Sequence, residues 1–246
     1  TCPAGWSFRG KNIKAEIGGY AHIQNATLKF GVVPFIWLPY LIVPLKSTRQ
    51  TGLLIPTIDY SQIGGFAFSQ SFFWAISRSN DFTLTEKIYQ KRGLKTFGNY
   101  RYVLKEGSRG NLDFATLKDR VFADEDRLNK FRDWDRKGMK TDRWFIKYDH
   151  FYQMPENWTN SVEINMASDL QYPRDFPRET LNHGDAAMDN RVSLSKNSSI
   201  SHFDIDASYY VNLLHANPIT PNDAAVNRFP QIRYSLATQR YKSFIF

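Results

Sequence analysis

The sequence predicts an all-β protein whose larger part is an antiparallel transmembrane β-barrel portion, and three observations carry that prediction. Apolar and polar residues alternate with period two in repeated segments of about ten residues, the length a tilted strand needs to cross a bilayer. The composition is rich in aromatics, with 19 Phe, 13 Tyr and 6 Trp among 246 residues, yet the mean hydropathy is −0.48. Apolar and polar side chains must therefore be finely interleaved, as they are where lipid-facing and lumen-facing residues alternate. Finally, short and long connections roughly alternate, the asymmetry of a barrel with tight turns on one side of a membrane and long loops on the other.

The N-terminal part reads differently from the rest. Trp6 to Phe30 holds short β-like runs with small and charged residues, and an apolar segment, Val32 to Leu45, follows. That segment falls short of the ~18 apolar residues of a transmembrane helix, and Pro34, Pro39 and Pro44 interrupt it. Proline belongs at strand ends, bulges and edges, so this spacing predicts an extended, bent connector. The domain boundary falls between residues 45 and 52, dividing the chain into residues 1–48 and 49–246.

Beyond the boundary the alternation sets in. From Gly65 to Ile76 one face carries Phe66, Phe68, Phe72, Trp74 and Ile76, the other Ala67, Ser69, Ser71, Phe73 and Ala75. Trp158 to Ala167 sorts Trp158, Val162, Ile164 and Met166 from Thr159, Ser161, Glu163 and Asn165. Ile205 to Val211 sets Ile205, Ala207, Tyr209 and Val211 against Asp206, Ser208 and Tyr210. Rougher patterns predict strands over Phe82–Tyr89, Phe97–Leu104, Asn111–Leu117, Arg143–Tyr152, Arg191–Ser195 and Phe229–Arg240. Turn-rich or charged connections are expected at Ser77–Asp81, Lys105–Gly110, Asp119–Thr141, Ser168–Asn190 and Asn212–Arg228. A soluble antiparallel sandwich also alternates and stays open as an alternative, including one that stacks glycans on Trp6, Trp37 or Trp158. Against it stand Trp74, Trp144 and Trp158 near strand ends, as in an interfacial girdle, and loops of roughly twenty residues, long for a compact sandwich.

Little in the sequence points to catalysis. Thirty-two basic against twenty-four acidic residues leave +8, which permits nucleic acid, anionic lipid or phosphorylated glycan and selects none. Lys and Arg are scattered rather than gathered into a stripe, so no nucleic-acid partner is expected. The densest stretch, Arg127 to Lys147, also holds Asp133, Asp135 and Asp142 and reads as a solvated loop. His22, His150, His183, His202 and His215 are dispersed without metal-ligand spacing. Asp133, Asp135 and Gly138 mimic the start of an EF-hand, but Lys137 and Trp144 occupy ligand positions, so the match is chance. The acidic trio Asp124, Glu125 and Asp126 reads as solvated. No phosphate loop, nucleophile elbow or dinucleotide fingerprint is present, and no catalytic residue, metal or cofactor is predicted. Thr1 is followed by no leader pattern, so the chain reads as a processed piece. The single cysteine, Cys2, is a free thiol, a partner to a cysteine elsewhere, or a bystander.

The order of motifs across Cys2 to about Phe176 resembles one family. The pieces are Thr1-Cys2-Pro3 with Trp6, Gln24-Asn25-Ala26, Val33-Pro34-Phe35-Ile36-Trp37-Leu38-Pro39-Tyr40-Leu41 with Pro44, Arg49-Gln50-Thr51-Gly52-Leu53-Leu54-Ile55-Pro56, Phe72-Phe73-Trp74-Ala75-Ile76 and Lys91-Arg92-Gly93-Leu94. In this order they resemble LptD, the LPS-assembly (OstA) family of the outer membrane; from Leu181 onward the match is only one of style. The resemblance implies that residues 1–48 end a periplasmic β-jellyroll and that residues 49–246 are the first strands of an outer-membrane barrel. In that family the jellyroll takes lipopolysaccharide from an LptA-like periplasmic bridge, and the lipid leaves through a lateral opening between the first and last barrel strands. An LptE-like lipoprotein plugs the barrel, and no reaction is catalysed.

Residue by residue, the resemblance implies that Cys2 pairs with a cysteine outside this chain, in an oxidising compartment. Pro34, Trp37, Pro39, Tyr40 and Pro44 correspond to the jellyroll–barrel connector. Pro56 corresponds to a proline that loosens the first barrel strand by its missing N–H. The family's proline in the second strand is Ser71 here, so loosening is expected to rest on Pro56, or on Gly64 and Gly65. Inward Lys87, Lys147 and Glu163 would suit a hydrated lumen. A generic diffusion porin is the rival among barrels; the final Phe246 suits it, whereas the connector and N-terminal segment do not.

Overall fold

The computed structural model describes residues 6–16, 18–45, 49–62, 64–122, 141–180, 186–215, 227–237, 240–241 and 244–245. Cys2, the acidic trio, the EF-hand mimic, most of the basic stretch, His183 and Phe246 lie outside them. Two compact units, Thr1–Thr51 and Gly52–Phe246, make up the chain.

The first unit is a four-stranded antiparallel sheet of β1 (Trp6–Arg9), β2 (Asn12–Ala15), β3 (Tyr20–Phe30) and β4 (Val33–Pro44). The long β3 pairs with β1 and then β2 along one side and with β4 along the whole of the other. Ala21, Ile23 and Ala26 are buried against Leu38, Leu41 and Val43. The segment expected to be an extended, bent connector is thus a paired strand. It is extended as the prolines require, but its partner is the hairpin neighbour β3, joined through Gly31 at φ +58°. Pairing runs Gln24↔Tyr40 and then Ala26↔Leu38, which leaves Pro39 facing Asn25, itself at φ +51°. A residue without an N–H sits where the ladder already skips a step, so this interior proline forfeits no bond.

The second unit is an eleven-stranded sheet. Its strands are β5 (Gly52–Leu53), β6 (Thr57–Ser61), β7 (Gly65–Trp74), β8 (Asn80–Tyr89), β9 (Gly93–Lys105), β10 (Ser108–Lys118), β11 (Asp142–Gln153), β12 (Trp158–Ala167), β13 (Ala187–Asn197), β14 (Ser201–Asn212) and β15 (Arg228–Leu236). From β7 onward each strand pairs antiparallel with the next, while β5 and β6 both pair with β7. Two short helices, α1 (Gln171–Asp175) and α2 (Pro177–Thr180), lie between β12 and β13, and β16 (Arg240–Tyr241) forms a separate two-stranded ribbon with β17 (Phe244–Ile245). Among the described residues no pairing joins β15 to β5 or β6, so the sheet is open.

Each segment in which alternation predicts a strand contains one; several strands run further than predicted, while β7 stops at Trp74 and β15 at Leu236, short of the predicted Ile76 and Arg240. The Lys105–Gly110 connection shrinks to Glu106 and Gly107, with Gly107 at φ +74°, because the strand pattern continues through polar residues. At the end of the sheet where the chain enters β5, the connections are short: residues 75–79, 106–107, 154–157 and 198–200. All the long ones, residues 119–141, 168–186 and 213–227, lie at the other end. Strands of 10–13 residues extend roughly 33–43 Å at ~3.3 Å per residue, enough at a ~40° tilt to cross a bilayer's hydrocarbon core.

Candidate functional site

The two faces of the large sheet differ in chemistry. Cross-strand pairs on one face include Ser71↔Thr85, Thr83↔Asn99, Asp113↔Lys147, Asp149↔Glu163, Ser193↔Asp206 and Asp204↔Arg233. Pairs on the other include Phe68↔Ile88, Phe72↔Leu84, Phe114↔Ile146, Tyr148↔Ile164, Val162↔Val192 and Ile205↔Ile232. Phe68, Phe72, Trp74, Ile88, Leu94, Trp144, Met166, Val192 and Ile232 are left exposed on that apolar face. In water such an area would be a heavy liability, whereas against hydrocarbon it costs nothing. Trp74 ends β7, Trp158 opens β12 and Trp144 is the third residue of β11, positions that suit an interfacial belt. Lys87, Lys147 and Glu163 all stand on the polar face.

The polar face is partly covered by the chain itself. The segment carrying α1 and α2 folds onto it, and Tyr172 and Phe176 pack with Ala67, Tyr89, Ala115, Leu117 and Phe145. Phe145 stacks on Tyr172 at 5.8 Å. Beside this apolar contact lies a buried charge cluster. Arg143, with no exposed side chain, donates to Asp119 (2.9 Å), Asp169 (3.0 Å) and Asp175 (2.8 Å), and Arg92 donates to Asp175 (2.8 Å). Burial alone would raise the Asp175 pKa, but the Arg92 and Arg143 guanidiniums outweigh it and hold the carboxyl below its usual range. Burial, with Glu179 nearby, pushes the Tyr172 phenol up. The sequence reading placed this whole stretch in a loop. Its charge partners are 24 to 83 residues apart, so no local pattern reveals them; the available hint was Tyr172 and Phe176, an i, i+4 aromatic pair inside a supposedly solvated segment.

At the β5–β6 edge the ladder is interrupted. Leu53 pairs with Phe72 and Thr57 with Ser69, so Leu54, Ile55 and Pro56 oppose only Gln70 and Ser71. That three-against-two count is a β-bulge, and Pro56 lies within it. The Leu54 N–H still donates to the Ser71 carbonyl (2.8 Å). The Gln70 side-chain amide donates to the Leu54 carbonyl (2.7 Å), bridging the break, and to the Ser71 carbonyl of its own strand (3.0 Å). Ser71 also shares a hydroxyl contact with Thr85 (2.7 Å). Gly64 and Gly65 are buried at the β6–β7 turn, where Gly65 has φ +69° and a Cβ on Gly64 would meet Ser61 and Tyr89 below 3 Å. They are needed to close that hairpin.

Next to this edge, on the polar face, is a cavity of about 260 Å³ lined by Thr57, Asp59, Ser69, Ser71, Thr85, Lys87, Lys95, Phe97 and Glu179. Lys87 donates to Asp59 of β6 at 2.5 Å, and Lys95 donates to Glu179 of α2. In the first unit, Trp37 and Tyr40 are exposed on the face of β4 away from Leu38 and Leu41, with the Tyr40 hydroxyl 2.5 Å from His22 Nδ1. Pro34, Pro39 and Pro44 share that strand.

A long antiparallel meander with one polar face, one exposed apolar face and a bulged first strand defines a two-faced all-β protein of the kind that meets both water and lipid. The chain belongs to the LptD family: the family described as LptD protein matches residues 22–243. It is similar to the LPS-assembly protein LptD of Aliivibrio fischeri, at 29% identity over the whole of this chain and 29% of that protein. It is also similar to the proteins of that name from Actinobacillus pleuropneumoniae serotype 5b, at 33% identity over 71% of this chain and 21% of the relative, and from Pasteurella multocida, at 31% over 70% and 20%. The chain therefore spans less than a third of the length of these relatives.

Proposed function

We propose that this chain is the part of an outer-membrane lipopolysaccharide translocon in which a periplasmic jellyroll ends and a lipid-embedded barrel begins. Residues 1–48 are then the last jellyroll strands, with Pro34, Trp37, Pro39, Tyr40 and Pro44 on the strand leading toward the barrel, and residues 49–246 are its first strands. The observation that carries this reading is the two-faced sheet whose first strand is bulged at Pro56, in a chain of the LptD family. An apolar face suits acyl chains and lipid, a polar face suits a phosphorylated sugar head, and a weakened first strand suits a seam that must part. The short connections, at the end where the first unit joins, then face the periplasm, and the long loops face outward. Cys2 pairs with a cysteine beyond this chain, an LptE-like lipoprotein fills the barrel, and an LptA-like bridge delivers the lipid; transport involves no catalysis by this chain.

The test is site-specific photocrosslinking to lipopolysaccharide in cells, in the full-length parent protein, with probes at positions 37, 40 and 56 and at the apolar-face position 68. Crosslinks at the first three without one at position 68 support a directed lipid path. Absence of all crosslinks, with small solutes leaking through the purified barrel, would replace this reading with a diffusion channel.

A further inference from the structure

We propose that the cavity between β6, β7, β8, β9 and α2 is a binding subsite for a phosphorylated sugar, held closed at rest by two of the chain's own carboxylates, Asp59 and Glu179. This rests on the transport reading and deepens it. The cavity offers two ammonium groups, Lys87 and Lys95, and two hydroxyl pairs, Thr57 with Ser69 at 2.5 Å and Ser71 with Thr85 at 2.7 Å. In a hydroxyl pair one O–H serves the other oxygen, so the second O–H can turn to a ligand. The wall formed by the sheet is thus set with donors for phosphate and sugar oxygens, with Phe97 as an apolar plate.

What occupies the cations now is exchangeable. Lys is a rotatable point charge rather than a rigid fork and changes partners without a fixed geometry. Asp59 is half exposed on the edge strand and Glu179 a quarter exposed on α2. Each carries one charge, whereas a phosphate monoester carries about −1.5 to −2 and three acceptor oxygens, so it outcompetes either for a site with two ammonium groups.

The position of the carboxylates gives the exchange a consequence. Asp59 lies on β6 and Lys87 on β8, so their ion pair reaches across β7 and ties the bulged edge strand to the interior of the sheet. Glu179 ties α2 to Lys95 on β9. A phosphorylated head entering the cavity would release both ties together, freeing the first strand and the covering segment at the moment cargo arrives.

The experiment places a photoreactive phenylalanine analogue at position 97 of the full-length protein in its native complex and measures crosslinking to purified lipopolysaccharide, to its dephosphorylated form, and in competition with inorganic phosphate. Asp59→Asn with Glu179→Gln is expected to raise the yield several-fold, because the resident competitors are gone. Lys87→Gln with Lys95→Gln is expected to lower it about tenfold, and dephosphorylated lipid should behave the same way on the unaltered protein. Competition by inorganic phosphate would assign recognition to the phosphate group, and its failure to compete would assign it to the phosphosugar as a unit. Equal yields from both lipids, or no gain in the carboxylate variant, would overturn the subsite. Crosslinks at position 37 that persist while position 97 is silent would sink this proposal alone; silence at both would sink the transport reading.

Discussion

The middle of the large sheet and its first edge are built from the same kind of strand and held in opposite ways. Between β10 and β11 the pairing runs without a break from Arg109↔Phe151 to Lys118↔Asp142. At the edge, β5 and β6 contribute two and then five pairs around a bulge that a glutamine side chain spans. The middle also carries the buried Arg143 cluster that fastens α1 to the sheet, whereas the edge relies on the Lys87–Asp59 pair, one partner of which is half exposed. Backbone continuity and buried charge are concentrated in the middle of the sheet, and interrupted pairing with half-exposed charge lies at its first edge.

The largest break in this comparison should come from Arg143→Ala. It removes the guanidinium that three carboxylates share in a buried site and leaves Asp119 and Asp175 to Arg92 alone, a loss on the order of 3–5 kcal/mol. Protease cleavage within residues 168–186 of the full-length protein in membranes should appear in this variant and be absent without it. Protection of that segment would mean that the aromatic packing of Tyr172 and Phe176 holds it unaided. Somewhat smaller is the effect of charge on the apolar face: Phe72→Arg should cost about 2–4 kcal/mol in a bilayer, whereas Ser193→Arg, opposite Asp206 on the polar face, should cost far less. Denaturant titration in vesicles compares them, and equal losses would contradict the assignment of the two faces.

The same fastening gives a pH dependence with a definite sign. Because the folded protein holds the Asp175 carboxyl below its ordinary value, its contribution is fully present above an unfolded pKa of about 4 and is lost as pH falls through the lower folded value. Protease access to residues 168–186 should therefore begin only in acid below about pH 4. Asp175→Asn should raise access at neutral pH and flatten the acid dependence. An unaltered protein that opened equally at every pH would disconnect the cluster from the fastening.

Most of the sheet was legible in the sequence because each strand writes its own alternation: Phe66, Phe68, Phe72 and Trp74 against Ala67, Ser69, Ser71 and Phe73 needs no knowledge of neighbours. The strand β4 was half legible. Its prolines forced an extended backbone, but its pairing, with a register shift between Leu28 and Lys29, depends on β3, a partner in another segment. The α1–α2 cover and the Arg143 cluster were hidden for the same reason on a larger scale, since their energy comes from charges brought together only by the fold. The edge lay between these cases: Pro56 could be singled out, while Gln70, a polar residue in the middle of an aromatic face, could have been noticed as an exception to the alternation and was not.

The smallest effects sharpen the edge itself. Pro56→Ala restores an N–H, but Leu54, Ile55 and residue 56 still oppose only Gln70 and Ser71, so the bulge persists and the edge should tighten by less than about 1 kcal/mol. Gln70→Ala removes the hydrogen bond to the Leu54 carbonyl that bridges the break and should loosen it by about 1 kcal/mol. Hydrogen exchange at the Leu54 amide, which donates to the Ser71 carbonyl, reads both: roughly fivefold faster in Gln70→Ala and nearly unchanged in Pro56→Ala. If Pro56→Ala instead slowed exchange strongly while Gln70→Ala did nothing, the missing N–H alone would set the weakness of this strand. The extra residue and its side-chain bridge would then be incidental to it.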